Sequence, residues 1–133
     1  MSYLLDTDIC IYWMKNIRSI QDKISQIGWE KIYICNITVA ELYFGAYNSQ
    51  RVAENLIRVQ KFIQNIEVIY LDDRAGQKFG ELKASLRKIG QPIADFDLLI
   101  ASIALTKNYS LVTNNTRHYQ RIPELKLENW MSP

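Results

Sequence analysis

Tyr3-Leu4-Leu5-Asp6-Thr7-Asp8-Ile9-Cys10-Ile11 sets three apolar residues before an acid and then starts a new apolar segment. The run Tyr3 to Leu5 is too short for a helix and reads as a strand, which places Asp6 at its carboxyl end. Three further runs repeat the pattern: Ile32 to Cys35, Glu67 to Leu71 and Ser110 to Thr113, with a weaker fifth at Lys126 to Trp130. Helical segments separate them. Val52, Leu56, Val59 and Ile63 recur at helical spacing, as do Phe79, Leu82 and Leu86, and Gly90-Gln91-Pro92 closes the latter helix. Strands alternating with helices specify an α/β fold with a mainly parallel central sheet, right-handed connections and helices on both faces. No linker, repeat or charge block divides the chain, so residues 1–133 read as a single domain. Ligands of such sheets gather beyond the carboxyl ends of the strands, so the polar residues there decide the function.

Composition narrows the possibilities without naming one. The chain is 48% hydrophobic and 23% charged, as ordinary globular proteins are, which argues against disorder. Its 16 basic and 14 acidic side chains give a net charge of +2, which permits a nucleic-acid partner without requiring one. Cys10 and Cys35 lie in apolar runs and read as buried thiols of a reducing compartment; no Cys-x-x-Cys pair suggests structural zinc. The chain opens with neither a basic leader nor a long apolar segment, so a cytoplasmic protein without membrane attachment is expected.

Each acid near a strand end has a structural reading beside the functional one. Asp6 suits the N-cap of a helix starting near Ile9. Glu41 follows Thr38 at the spacing of a Ser/Thr-x-x-Glu capping box. Asp97 falls in the first turn of an almost wholly apolar helix (Leu98-Leu99-Ile100-Ala101), where the helix dipole favours a carboxylate, with Asp95 better placed to cap it. Asn114-Asn115-Thr116, after the run Ser110 to Thr113, suits a turn.

Taken together, these positions converge on one edge of a parallel sheet. Two carboxylates about 4 Å apart repel by roughly 4 kcal/mol at an effective dielectric near 20, so a cluster of Asp6, Glu41 and Asp97 needs a proton or a cation. An all-oxygen ligand set selects Mg²⁺, or Mn²⁺ in its place, over zinc. Carboxylates holding Mg²⁺ suit phosphodiester hydrolysis, with Asp6 and Asp97 as ligands, Glu41 as ligand or general base, and Asn115 at a supporting position. His118 is the only histidine, so a nuclease built on two imidazoles is excluded, and it reads as a surface residue. Neither a phosphate-binding Gly-rich loop nor a Gly-x-Ser-x-Gly elbow is present. Arg117 and Arg121 are candidates for phosphate contacts or ordinary solvated residues.

Four motifs then carry a specific resemblance: Leu4-Leu5-Asp6-Thr7-Asp8, Ile37-Thr38-Val39-Ala40-Glu41-Leu42-Tyr43-Phe44-Gly45-Ala46, Phe96-Asp97-Leu98-Leu99-Ile100-Ala101 and Leu111-Val112-Thr113-Asn114-Asn115-Thr116-Arg117. In this order, over essentially the whole chain, they resemble the PIN-domain toxins, the VapC-type ribonucleases of bacterial type II toxin–antitoxin pairs. The resemblance implies a three-layer PIN-like fold and a Mg²⁺-dependent endoribonuclease silenced by a cognate antitoxin. The family's acids map onto Asp6, Glu41 and Asp97, and its fourth polar position onto Asn115, where many members carry Asp. Asp8 stands where Asn is commoner and is read as a helix cap. Homodimers are common in the family, and Tyr43, Phe44 and Tyr47 suit either an interface or the core. Two rivals stand beside this reading. One is a haloacid-dehalogenase-like phosphatase with Asp6 as nucleophile; the other is an inactive PIN-like RNA-binding module.

Overall fold

Leu4 and Leu5 are both wholly buried, as are Leu111 and Val112. Alternate residues of a strand point to opposite faces, so strands buried throughout must be covered on both sides. The computed structural model, which describes residues 1–131, shows that arrangement. Five parallel strands, β1 (Tyr3–Leu5), β2 (Ile32–Cys35), β3 (Glu67–Ile69), β4 (Ser110–Val112) and β5 (Leu127–Glu128), form one sheet in the order β3-β2-β1-β4-β5. The helices are α1 (Thr7–Met14), α2 (Arg18–Ile27), α3 (Asn36–Tyr47), α4 (Val52–Gln64), α5 (Asp73–Lys88), α6 (Asp95–Lys107) and α7 (Thr116–Tyr119).

The two faces carry separate cores. Leu4, Cys35 and Leu111 pack with Leu82 and Leu86 of α5 and with Leu98, Ile100, Ala101 and Ile103 of α6. Leu5, Ile32, Ile34 and Val112 pack with Ile9 and Cys10 of α1, Ile20 and Ile24 of α2, Leu42 of α3 and Val59 of α4. Helix α6 is apolar nearly all round because it lies between the sheet and α5, which buries Ile100, Ala101, Ile103 and Ala104 completely. The three-layer α/β fold expected from the sequence is therefore the fold observed. Both cysteines are buried free thiols. Among the described residues no helix is long and apolar enough to cross a membrane.

Some boundaries differ from the sequence reading. The strand expected to reach Leu71 ends at Ile69, after which the Leu71 amide donates to the Asn36 side chain. The fifth strand is narrower than Lys126 to Trp130, because beyond Glu128 the chain turns and buries Trp130 against Tyr3. Helix α1 begins at Thr7, two residues before the expected start near Ile9. Helix α2 carries its apolar side as Ile20, Ile24 and Ile27, a helical spacing that marks an element the strand-centred reading passed over.

From β1 the chain moves outward to β2 and β3, then returns to the other side of β1 for β4. The order of strands reverses between β1 and β4, and a crevice opens at their carboxyl ends. Asp6 follows β1 there, and Thr113-Asn114-Asn115 follow β4.

Candidate active site

Asp6 occupies the centre of that crevice and is only 5% exposed. Its backbone is extended and its Oδ1 accepts from the Thr7 amide (2.9 Å), so it caps α1 as its position suggested. Its Oδ2 faces the other way and accepts from the Thr113 hydroxyl (2.9 Å) and the buried Tyr119 hydroxyl (3.0 Å). A carboxylate has about four acceptor positions, and three are used, which fixes the rotamer and leaves one for a further ligand. Burial first, then the charge of Asp8 and more weakly that of Asp97, push Asp6 up to about 7 from an ordinary 3.8, against the lowering by Thr113 and Thr7. Asp6, Asp8 and Asp97 thus act as one electrostatic unit.

Asp8 lies in the first turn of α1 and is half-buried. Its Oδ1 accepts from the Ile9 amide (2.7 Å) and its Oδ2 from the Asn114 amide (3.0 Å). Asp6 holds the cap position, so Asp8 is not the cap it was expected to be; it binds the next amide of its own helix and ties α1 to the turn after β4. Burial raises its carboxyl above the usual range.

Glu41 reaches the crevice from the second turn of α3, and its Oε1 accepts from the Thr7 hydroxyl at 2.6 Å. The capping-box reading of Thr38 and Glu41 is corrected here. Helix α3 starts at Asn36, so Thr38 is its third residue, wholly buried with its hydroxyl 3.1 Å from that of Thr7. Glu41 is thus bonded to another element instead of to its own helix terminus.

Asp97 lies in the first turn of α6, as expected, with a quarter of its side chain exposed and its Oδ2 3.8 Å from His118 Nδ1. Asp95 is not the cap: Ala94 holds that position, and Asp95 is an exposed residue paired with Lys83 of α5 at 2.9 Å. Asn115, exposed at the start of α7, places its Nδ2 2.9 Å from His118 Nδ1, while its amide donates to Thr113 Oγ1 (3.0 Å). His118 is half-exposed, as a surface residue would be, with its Nδ1 near both Asn115 and Asp97. Arg117 is exposed on α7, and Arg121 donates to the Pro92 carbonyl, anchoring the α5–α6 connection.

Three side chains went unread in the sequence: Thr7, Thr113 and Tyr119. Thr113 and Thr7 belong to motifs, but only the fold sets a hydroxyl against Asp6 or Glu41. Tyr119 lies 113 positions from Asp6, and its aromatic bulk signals only burial.

Every candidate donor is a hard oxygen, and the partly filled, charge-crowded Asp6 carboxylate is a site that a divalent cation relieves. As the side chains stand, no three acids, histidines or cysteines among the described residues are gathered closely enough to surround one ion. The residues fit an ion by the chemistry of their donors and by their place at the strand-order reversal.

Carboxylates at the strand-order reversal of a small parallel sheet fit the PIN class, and the family model for the PIN domain matches residues 3–125. Over 132 residues the chain is 37% identical to ribonuclease VapC2 of Rickettsia felis, covering 98% of each chain. It is 34% identical over 130 residues to the tRNA(fMet)-specific endonuclease VapC of Shigella flexneri, again covering 98% of both. The crystal structure of DNA-bound VapBC from Salmonella typhimurium contains a chain that superposes with a TM-score of 0.91 at 34% identity, covering 98% of both chains. The chain belongs to the PIN-domain family, among the VapC ribonucleases.

Proposed function

We propose that this chain is a Mg²⁺-dependent endoribonuclease, the toxin of a toxin–antitoxin pair, with Asp6, Glu41 and Asp97 as metal ligands and Asn115 in support. The observation that carries the reading is the Asp6 carboxylate, buried at the reversal of strand order and crowded by Asp8 and Asp97. When bound, the ion supplies Lewis-acid activation of water and charge neutralisation at the scissile phosphate. The chain's own residues do the rest. Thr7, Thr113 and Tyr119 hold Asp6 in one rotamer, so no conformational freedom is lost there during reaction. The Thr7 hydroxyl orients Glu41, leaving its second oxygen to bind the ion or accept a proton from attacking water. Asn115 and His118 stand at the outer edge beside Asp97, where a substrate phosphate enters.

The cognate antitoxin is a partner in this reading, in keeping with the VapBC assembly named for the Salmonella structure. A groove of about 420 Å³ between α1, α3 and α4 suits such a chain: Ile11, Met14, Leu42 and Val59 line it, Lys15 and Arg58 flank it, and Glu41 lies at its end. A segment seated there would contact Glu41. The bacterial relatives agree with a cytoplasmic site of action.

The phosphatase rival is not favoured, because both oxygens of Asp6 are engaged and the relatives are named nucleases. The test is cleavage of total bacterial RNA by the purified protein. Cleavage in Mg²⁺ that stops in EDTA and resumes with Mn²⁺ supports the reading. RNA binding without cleavage under all three conditions favours the inactive module.

A further inference from the structure

Between α5 and α6 the chain forms a lip directly before Asp97, and that lip is clamped twice. Lys83 pairs with Asp95 at 2.9 Å, and Arg121 donates to the Pro92 carbonyl. Phe96, between Asp95 and the site residue Asp97, is nevertheless 54% exposed. Its ring stands open to water one residue from Asp97 and packs with neither hydrophobic cluster of the sheet. Lys83, which reaches Asp95 beside Phe96 in the chain, shares a groove on the solvent face of α5 with Gly80, Ala84, Arg87 and Lys88. Small residues at 80 and 84 keep the face low, and a Cβ at Gly80 would meet nothing within 4 Å. Glu81 on the same helix is paired with Lys78, and among the described residues Arg87 and Lys88 have no ion-pair partner.

A basic strip that leads to an exposed aromatic is the combination that binds single-stranded nucleic acid. Cations hold the backbone, and the ring stacks a base whatever its identity. Building on the endoribonuclease reading, we infer that Phe96 is the platform on which a nucleobase next to the scissile phosphate stacks, with Arg87 and Lys88 holding the backbone of the same strand. The substrate class is therefore unpaired RNA, since a base in a duplex has no free face for Phe96. The two contacts tie the chain on the amino-terminal side of Phe96 to neighbouring elements in the free protein.

The test uses short single-stranded oligoribonucleotides carrying 2-aminopurine at each position in turn, bound in EDTA so that no cleavage occurs. Wild type is expected to quench one position through stacking. Phe96→Ala should weaken binding by about 5- to 100-fold and abolish that quenching, as expected for one stacked base. Phe96→Tyr and Phe96→Trp should retain both, whereas Phe96→Leu, with similar bulk and no π-face, should behave like alanine. Arg87→Ala and Lys88→Ala should each reduce the slope of log affinity against log salt by about 0.7. The inference is overturned if Phe96→Ala leaves affinity and quenching intact, if Phe96→Leu matches wild type, or if fully paired RNA binds as tightly. It is also overturned if Phe96→Ala changes only self-association in sedimentation, which would make the lip a contact between copies. Quenching in a protein that fails to cleave RNA in Mg²⁺ would instead refute the nuclease reading and leave the stacking platform standing.

Discussion

At the scale of single residues, Asp6 divides its oxygens between two tasks: one closes α1, and the other accepts from Thr113 and Tyr119. Its raised pKa gives a pH dependence whose sign is fixed. Below about pH 4 the carboxyl is neutral in both folded and unfolded chains; as pH rises toward 7 the unfolded chain ionises more readily, so stability is lost. Without metal, the melting temperature should fall across that interval, the full effect being on the order of 4 kcal/mol. Mg²⁺ should offset the fall at neutral pH, and Asp6→Asn should flatten it; a metal-free profile identical in wild type and Asp6→Asn would refute the assignment. Tyr119→Phe removes a buried hydrogen bond to the same carboxylate. It should cost about 1–3 kcal/mol in denaturant unfolding and weaken Mn²⁺ binding in calorimetry, because the anion loses a donor. Unchanged unfolding and Mn²⁺ affinity would make that hydroxyl incidental.

At the scale of elements, the strands were legible because a run buried on both faces is short, continuous and apolar, as Tyr3–Leu5 and Ser110–Val112 are. Helix starts were less so. Thr38 and Glu41 satisfy a local capping pattern, but Cys35 in extended conformation starts α3 earlier and leaves Thr38 buried against Thr7. Asp95 likewise meets a cap's description, yet Lys83 across the α5–α6 packing claims it. Local spacing cannot weigh partners that tertiary structure supplies. Helix stops are more local, and the one at Gly90 was read correctly: its φ of 69° lies in the left-handed region. No atom crowds a Cβ there, so Gly90→Ala should cost only the backbone strain, about 1 kcal/mol. A chemical melt showing no loss would mean the turn relaxes.

At the scale of the whole molecule, alternating strands and helices dictated the sheet, and the sheet's reversal between β1 and β4 dictated where a site must lie. Asp6, Asp97 and Asn115 reach that crevice from β1, α6 and the turn after β4, three segments whose meeting the order of motifs implied. Their supporting hydroxyls were not legible, because Thr7 meets Glu41 and Tyr119 meets Asp6 only once the layers have packed. Of the side chains offered for an interface or the core, Tyr43 packs at the edge of the core, while Phe44 and Tyr47 are exposed. In cells, expression without the antitoxin should arrest growth, and co-expression of the antitoxin should relieve the arrest; normal growth of cells making active, soluble toxin would remove that role. The most direct test of the central claim is cleavage of RNA in Mg²⁺ by purified Asp6→Ala beside wild type, with melting temperature recorded for both. The account predicts a rate lower by orders of magnitude in a protein that still folds, its metal-free stability lowered by the lost cap and hydrogen bonds and partly restored by the loss of one repelling charge. If Asp6 only caps α1, alanine would lower stability by about 0.5–2 kcal/mol yet leave cleavage nearly intact, and that intact cleavage would contradict the account.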